Sequence, residues 1–177
     1  MLNGRPSVYE QTIEAIRHDR RIGERMYSVN ERLVAKQIDS YGLCLYEFEV
    51  GTFLWSRGIT VPRMDYFFLV PPENKFYGSS WVIIMEKVDG RPIGYHLQDE
   101  ELCEALEQYR EQIRQVLNLG IAPRDISFRN TLFDRSHRKL YLLDFESWEN
   151  LDCSYNNNPE DILSRLEKGI RSFLSGC

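Results

Sequence analysis

One stretch constrains this chain more than any other. Asp125 is followed five residues later by Asn130, and an apolar run from Lys139 to Leu143 then delivers Asp144. Two carboxylates and an amide at that spacing form a set of hard oxygen ligands. One carboxylate can orient an attacking hydroxyl, while the amide oxygen and the second carboxylate hold Mg²⁺ on phosphates. Chemistry of that kind rests on positioning and charge neutralisation more than on covalent intermediates.

The rest of the chain must build a scaffold for those groups. Its 177 residues fit one ordinary domain, and 42% hydrophobic with 28% charged residues is a folding composition. A formal net charge of −5 argues against nucleic acid or an anionic membrane as the main partner. Cys44, Cys103, Cys153 and Cys177 form no Cys-x-x-Cys pair, so no zinc site is expected, and a reduced, cytoplasmic chain is. Residues 1 to 6 show no signal-peptide pattern, and no apolar run is long enough to span a bilayer.

Periodicity predicts an α+β chain with two lobes. Arg25 to Val29 and Arg32 to Ile38 read as strands around a turn at Asn30-Glu31. Tyr46 to Trp55 reads as a helix ended by Gly58 and Pro62. Tyr66 to Val70 and Trp81 to Val88 read as strands, with a hairpin-like connection over Pro71 to Lys75. Leu102, Leu106, Tyr109, Ile113 and Val116 recur at steps of four and three, with Asp99 suited to the N-cap and Gly120 to the C′ position. Asn158-Pro159 opens a last helix carrying Ile162, Leu166, Ile170 and Leu174. The expected division is a sheet-rich part at 1–88 and a helical part at 89–177, within a single domain and with the hinge near Val88 to Pro92.

Arg124-Asp125-Ile126-Ser127-Phe128-Arg129-Asn130, followed by Leu142-Leu143-Asp144-Phe145-Glu146, resembles the catalytic loop and metal-binding strand of the protein-kinase superfamily. Val34-Ala35-Lys36, Glu47-Phe48 followed by Gly58-Ile59-Thr60-Val61-Pro62, and Ile83 to Gly90 fall in the superfamily's order. Ser127, where most protein kinases carry lysine, is similar to the RIO-type atypical kinases. It is also similar to the small kinase of the tRNA threonylcarbamoyl-adenosine machinery. The resemblance implies a two-lobed kinase-like fold with a minimal, mostly helical C-lobe.

It also implies ATP and Mg²⁺ as cofactors and a serine/threonine-type hydroxyl acceptor. Asp125 would be the base, and Asn130 and Asp144 would bind Mg²⁺. Lys36 would hold phosphates and pair with Glu47, with Glu49 as the competing partner. The backbone of Glu86 and Val88 would meet the adenine edge. Ala35, Leu132 and Leu143 would wall the ring, with Met85 as gatekeeper.

Three positions depart from the superfamily pattern. The stretch from His18 to Met26, where a glycine-rich loop is expected, holds one glycine; Pro123 stands where histidine is usual, and Glu146 where glycine is. No Ala-Pro-Glu follows Glu146, so the expected acceptor surface is small and a partner protein is expected to present the substrate. The alternative from another class is a pseudokinase serving as a nucleotide-binding or scaffold module. The arginines at 17 to 25 read most simply as a solvated face, and Ser127 reads equally as a turn hydroxyl or a helper in catalysis.

Overall fold

The computed structural model describes residues 6–71, 80–94, 97–151 and 158–175. The predicted connection over Pro71 to Lys75, the run Asn156-Asn157, Cys153, Cys177 and His96 lie wholly or largely outside them. The protein is a mixed α+β chain with a five-stranded antiparallel sheet and four α-helices among the described residues. It divides into two compact units, residues 1–52 with 62–87, and residues 53–61 with 88–177. Among the described residues no helix is long and apolar enough to cross a membrane.

The first unit opens with a helix, α1 (Val8–Arg17). Ser7 Oγ accepts from Glu10 N–H, and Glu10 carboxylate accepts from Ser7 N–H at 2.7 Å, a reciprocal capping box. Five strands follow, interrupted by one helix: β1 (Arg21–Gly23), β2 (Met26–Ser28), β3 (Leu33–Ile38), β4 (Met64–Val70) and β5 (Ser80–Glu86), in the order β1-β2-β3-β5-β4. β3 is paired on both sides, with β2 and with β5. Its alternation therefore decides which residues lie on each face of the sheet.

One face packs under α1: Ala15 and Ile16 meet Tyr27, Ala35, Val70, Val82 and Ile84. On this side Phe68 also meets Tyr9, with ring centroids 5.0 Å apart. The expected strand Trp81 to Val88 stops at Glu86.

Helix α2 (Tyr41–Ser56) begins five residues before the predicted start. Its sequence is apolar nearly all round, so no stripe marks its first turn. Within the first unit its aromatic residues lie against the second sheet face, with Tyr41 4.8 Å from Trp81 and Phe48 5.1 Å from Phe67. The helix stops as predicted: Gly58 takes φ 81°, and Ile59 N–H donates back to Leu54 O at 3.1 Å.

The second unit is built on α3 (Asp99–Asn118) and α4 (Pro159–Ser175). Gln98, and not Asp99, is the N-cap of α3; Glu101 carboxylate accepts from Gln98 N–H at 3.0 Å. Leu106, Tyr109, Ile113 and Val116 are buried as their spacing predicts, and Gly120 has φ 80°. In α4, Asn158 Oδ1 accepts from Glu160 N–H, Pro159 is the first helical residue, and Ile162, Leu166 and Ile170 are buried, while Leu174 is exposed. Arg110 and Glu167 join the two helices through paired bonds of 3.0 and 3.1 Å.

Around the helices lie two small ladders. β6 (Ile121–Ala122) pairs with β9 (Glu149–Asn150), and β7 (Thr131–Asp134) pairs with β8 (Lys139–Leu142). Gly90 is fixed by a close approach to β7. Arg91 and Phe133 exchange backbone bonds of 3.1 and 2.7 Å. A methyl group on Gly90 would lie 2.9 Å from Leu132 Cβ.

Candidate functional site

In the first unit, Lys36 Nζ donates to Glu47 Oε1 at 2.7 Å and Oε2 at 2.8 Å. The Glu47 side chain is 1% exposed and that of Lys36 is 15% exposed. Helical phase selects Glu47 over Glu49. Cys44, Glu47, Gly51 and Leu54 recur at helical steps on the buried side of α2, while Glu49 is exposed. The site is strongly desolvated, and burial above all, with the charge of Glu47 added, pushes the Cys44 thiol up to about 12. That thiol is protonated and inert at neutral pH.

Strand alternation corrects one expected site residue. Lys36 pairs with Ile83 and Val34 with Met85, so Val34, Lys36, Ile83 and Met85 share a face. Ala35 points the other way, into the cluster under α1, and is fully buried there. It therefore cannot line a wall on the Lys36 face, where Val34 lies instead. The period-two rule alone would have found it, since Ala35 and Lys36 are adjacent in sequence. Met85 is buried. Glu86 is exposed and its N–H donates to Arg63 O at 2.8 Å, while its Oε2 accepts from Arg63 N–H at 3.3 Å.

The stretch from His18 to Met26 is a helix end followed by a short hairpin. Arg21 pairs with Tyr27 and Gly23 with Met26, with Glu24 and Arg25 at the turn. Arginines in and just before this stretch are exposed and make surface pairs: Arg17, at the end of α1, with Glu14, Arg21 with Asp19, and Arg25 with Asp39.

In the second unit, the segment after β6 carries Pro123, Arg124 and exposed Asp125, then a 3₁₀ turn at Phe128–Asn130. Ser127 Oγ accepts from Arg129 N–H at 3.3 Å, so its hydroxyl caps this turn. Asn130 Nδ2 donates to Asp125 Oδ2 at 3.0 Å. The Asn130 carbonyl accepts from Leu143 N–H at 2.9 Å, which ties the loop to the residue preceding Asp144. Asp144 sits at φ 64°, a left-handed conformation that Asp tolerates better than most residues. It turns the chain sharply off β8 before Phe145 and Trp148 bury, their rings 4.9 Å apart and edge-on.

The donor types here are those a hard cation takes. With Nδ2 committed to Asp125, the remaining Asn130 side-chain atom is an oxygen, and Asp144 supplies a carboxylate. Leu132 and Leu143 are half-buried, in register with the half-buried face of β7 and β8, while Phe133, Leu140 and Leu142 on the other face are buried. Val88 is half-buried just beyond β5. Phe128 is gripped edge-on by Tyr109 at 5.6 Å and Phe173 at 5.1 Å, two contacts that periodicity alone does not reveal. Burial, helped by the negative charge of Asp125, pushes the Tyr109 hydroxyl well above its ordinary range.

No family model matches the chain, and no curated protein matches its sequence. The fold is similar to the structure of the kinase PK-1 of Cydia pomonella granulovirus, with a TM-score of 0.52 and 18% sequence identity. The match covers 76% of this chain and 48% of the viral kinase, so this chain spans about half of that protein's length. The likeness shows a protein-kinase-like fold.

Proposed function

We propose that this protein is an ATP- and Mg²⁺-dependent phosphotransferase of minimal, atypical kinase type, acting on a hydroxyl of the serine/threonine class. The observation that carries this reading is the Asn130–Asp125 hydrogen bond, which orients a carboxylate and leaves the amide oxygen available to a hard cation. The fold likeness to a viral kinase supports it.

Mg²⁺ would supply charge neutralisation on the phosphates, held by Asn130 and Asp144. Lys36, steered by Glu47, would hold the α and β phosphates. Val34, Met85, Leu132 and Leu143 would wall the adenine, and the backbone of Glu86 and Val88 would meet its edge. Asp125 would accept the proton of the acceptor hydroxyl as the hydroxyl oxygen bonds to the γ-phosphorus; the bond from the γ-phosphorus to the oxygen bridging to the β-phosphate would break, and ADP would leave with that oxygen. Ser127 favours the RIO-type or tRNA-modification-kinase subgroup. We place the protein in the cytoplasm, with its acceptor presented by a partner protein.

The test is Asp144→Asn, with Mg·ATP affinity and turnover measured. The variant is expected to keep the fold and lose Mg²⁺-dependent turnover. Turnover equal to that of the unaltered chain removes the assignment.

The second reading, a pseudokinase scaffold, is favoured by the β1–β2 turn, where Glu24 and Arg25 stand in place of glycines. A thermal-shift titration separates the two. A ligand at 100 times Kd stabilises by about 2.7 kcal/mol, whereas a scaffold with no nucleotide site shows no shift at millimolar Mg·ATP.

A further inference from the structure

The five-stranded sheet ends at β4, which among the described residues is paired on one side only, with β5. An edge strand offers a row of backbone N–H and C=O groups to another strand. Two bonds fix which residues of β4 make that offer. Glu86 N–H donates to Arg63 O at 2.8 Å, towards β4, and Lys87 N–H donates to Arg32 O at 2.8 Å, towards β3. Alternation along β5 then turns Ile84 and Val82 towards β4, and Ile83 and Trp81 towards β3. Tyr66 lies opposite Ile84 and Phe68 opposite Val82, so both give their backbone groups to β5. Phe67 and Leu69 turn theirs to the free edge.

Sheet edges are usually blunted by charge, a bulge or proline. In β4 these devices stand only at the ends. Asp65 lies in a register shift between Met64 and Tyr66 and is paired with Arg63, and Pro71, which follows the strand directly, has no N–H. Between them Tyr66-Phe67-Phe68-Leu69-Val70 carries no charge, glycine or proline. Tyr66 is 39% exposed on the α1 side, beside Phe68 and Tyr9, and Leu69 is 43% exposed on the other side.

We propose that β4 is an interface for a second copy of this chain, the two strands pairing antiparallel about a twofold axis at Phe68. The occupant follows from the strand's self-complementarity, the requirement of a twofold contact. Phe67 of each copy lies opposite Leu69 of the other, and such a pair exchanges both of its N–H···O bonds because both residues face outward. Phe68 meets its own counterpart, and Tyr66 lies opposite Val70. The exposed side chains of Leu69 and Tyr66 thereby gain apolar neighbours on both faces of the joined sheet. An axis at Phe67 sets Asp65 and its register shift opposite Leu69, and one at Leu69 sets Pro71, without a donor, opposite Phe67. The axis at Phe68 avoids both. This pairing does not depend on the phosphotransferase reading.

The experiment uses the full chain. Sedimentation velocity across a dilution series reads its mass, and amide hydrogen exchange on ¹⁵N-labelled protein reads the strand residue by residue. A monomer–dimer equilibrium is expected, with exchange at Phe67 and Leu69 slowing about tenfold at the concentrated end and exchange at Tyr66 and Phe68 changing less. Leu69→Lys places a charge on the strip and is expected to return the chain to monomer and both amides to fast exchange. If that variant fails to fold, Tyr66→Lys takes its place. A dimer in which exchange at Phe67 and Leu69 is independent of concentration overturns the proposal, as does a lysine variant that dimerises as well as the unaltered chain. A chain that stays monomeric at every concentration also overturns it. Both amides protected throughout would then assign the edge to another segment of the same chain, and both exchanging freely would leave it to a foreign strand.

Discussion

Lys36 Nζ is shared between both carboxylate oxygens of Glu47, at 2.7 and 2.8 Å, in a site from which water is almost excluded. Removing one partner of such a pair strands the other charge, at a cost of about 3–5 kcal/mol. Glu47→Ala is therefore expected to lose that much in urea unfolding. Replacing both groups by apolar residues, as Lys36→Met with Glu47→Leu, should recover most of the stability, because no lone charge stays buried. The double variant should still fail to bind Mg·ATP. Recovery of nucleotide binding along with stability would reduce the pair to a packing role.

Asp125 and Asn130 divide the proposed chemistry between them. Asp125→Asn keeps the shape of the side chain but removes the proton acceptor. Turnover should fall by about 10²–10⁴, the usual contribution of a general base, with ATP affinity within a few-fold of the original. Single-turnover transfer together with calorimetric ATP binding makes the comparison. Equal losses in both would move Asp125 from base to ligand.

The two faces of β3 make opposite predictions for adjacent residues. Ala35 is fully buried under α1, so Ala35→Leu should destabilise by overpacking, about 1–3 kcal/mol, and leave nucleotide affinity per folded molecule unchanged. Val34 is also buried but shares the face of Lys36 and Met85, so Val34→Phe should weaken ATP binding per folded molecule as well as the fold. Thermal melts and nucleotide titrations on both variants check the assignment, and interchange of the two outcomes would reverse it.

The elements that sequence revealed were those in which one physical signal dominated. In α3 the steps from Leu102 to Val116 and the stop at Gly120 matched because a polar helix buries a single stripe. The nearness of Asp125 and Asn130 agrees with their five-residue spacing around a turn. The start of α2 was not legible, since Leu43, Cys44, Leu45 and Tyr46 are apolar on every side and carry no phase. Helix α1 was missed although Ser7 and Glu10 stand at capping-box spacing before it. Ala35 was misplaced because likeness to a motif outweighed strand alternation. The partners of Arg124 and Phe128 depend on chain returns from residues 149 and 173, which no local pattern reveals.

Gly90 tests how tightly the segment after β5 must lie on β7. A β-carbon there meets Leu132 Cβ at 2.9 Å and the Phe133 carbonyl carbon at 3.1 Å. Backbone atoms cannot swing aside as a flexible side chain can. Gly90→Ala should cost about 1–3 kcal/mol and displace Leu132. Hydrogen exchange at Arg91 and Phe133, which bond each other, is the local readout, and unchanged protection there would show that the contact is slack.

Asp134 supplies a pH test of the β7–β8 turn. Burial pushes its carboxyl up, but hydrogen bonds from Ser136 and His137 outweigh that and hold it at about 2, below the ordinary 3.8. The Oδ1 atom accepts from Ser136 N–H at 2.8 Å, Ser136 Oγ–H at 2.6 Å and His137 N–H at 3.2 Å. A carboxyl with a depressed folded-state pKa stabilises the fold fully above its unfolded value and loses that contribution as pH falls towards the folded value. The contribution of Asp134 should therefore be constant above about pH 5 and fade between roughly pH 4 and pH 2. Asp134→Asn should lower Tm at neutral pH and show a shallower fall across that window, because the amide has no proton to gain. Parallel Tm-against-pH curves for the two proteins between pH 4 and pH 2 would show that the turn's hydrogen bonds do not depend on the carboxylate charge.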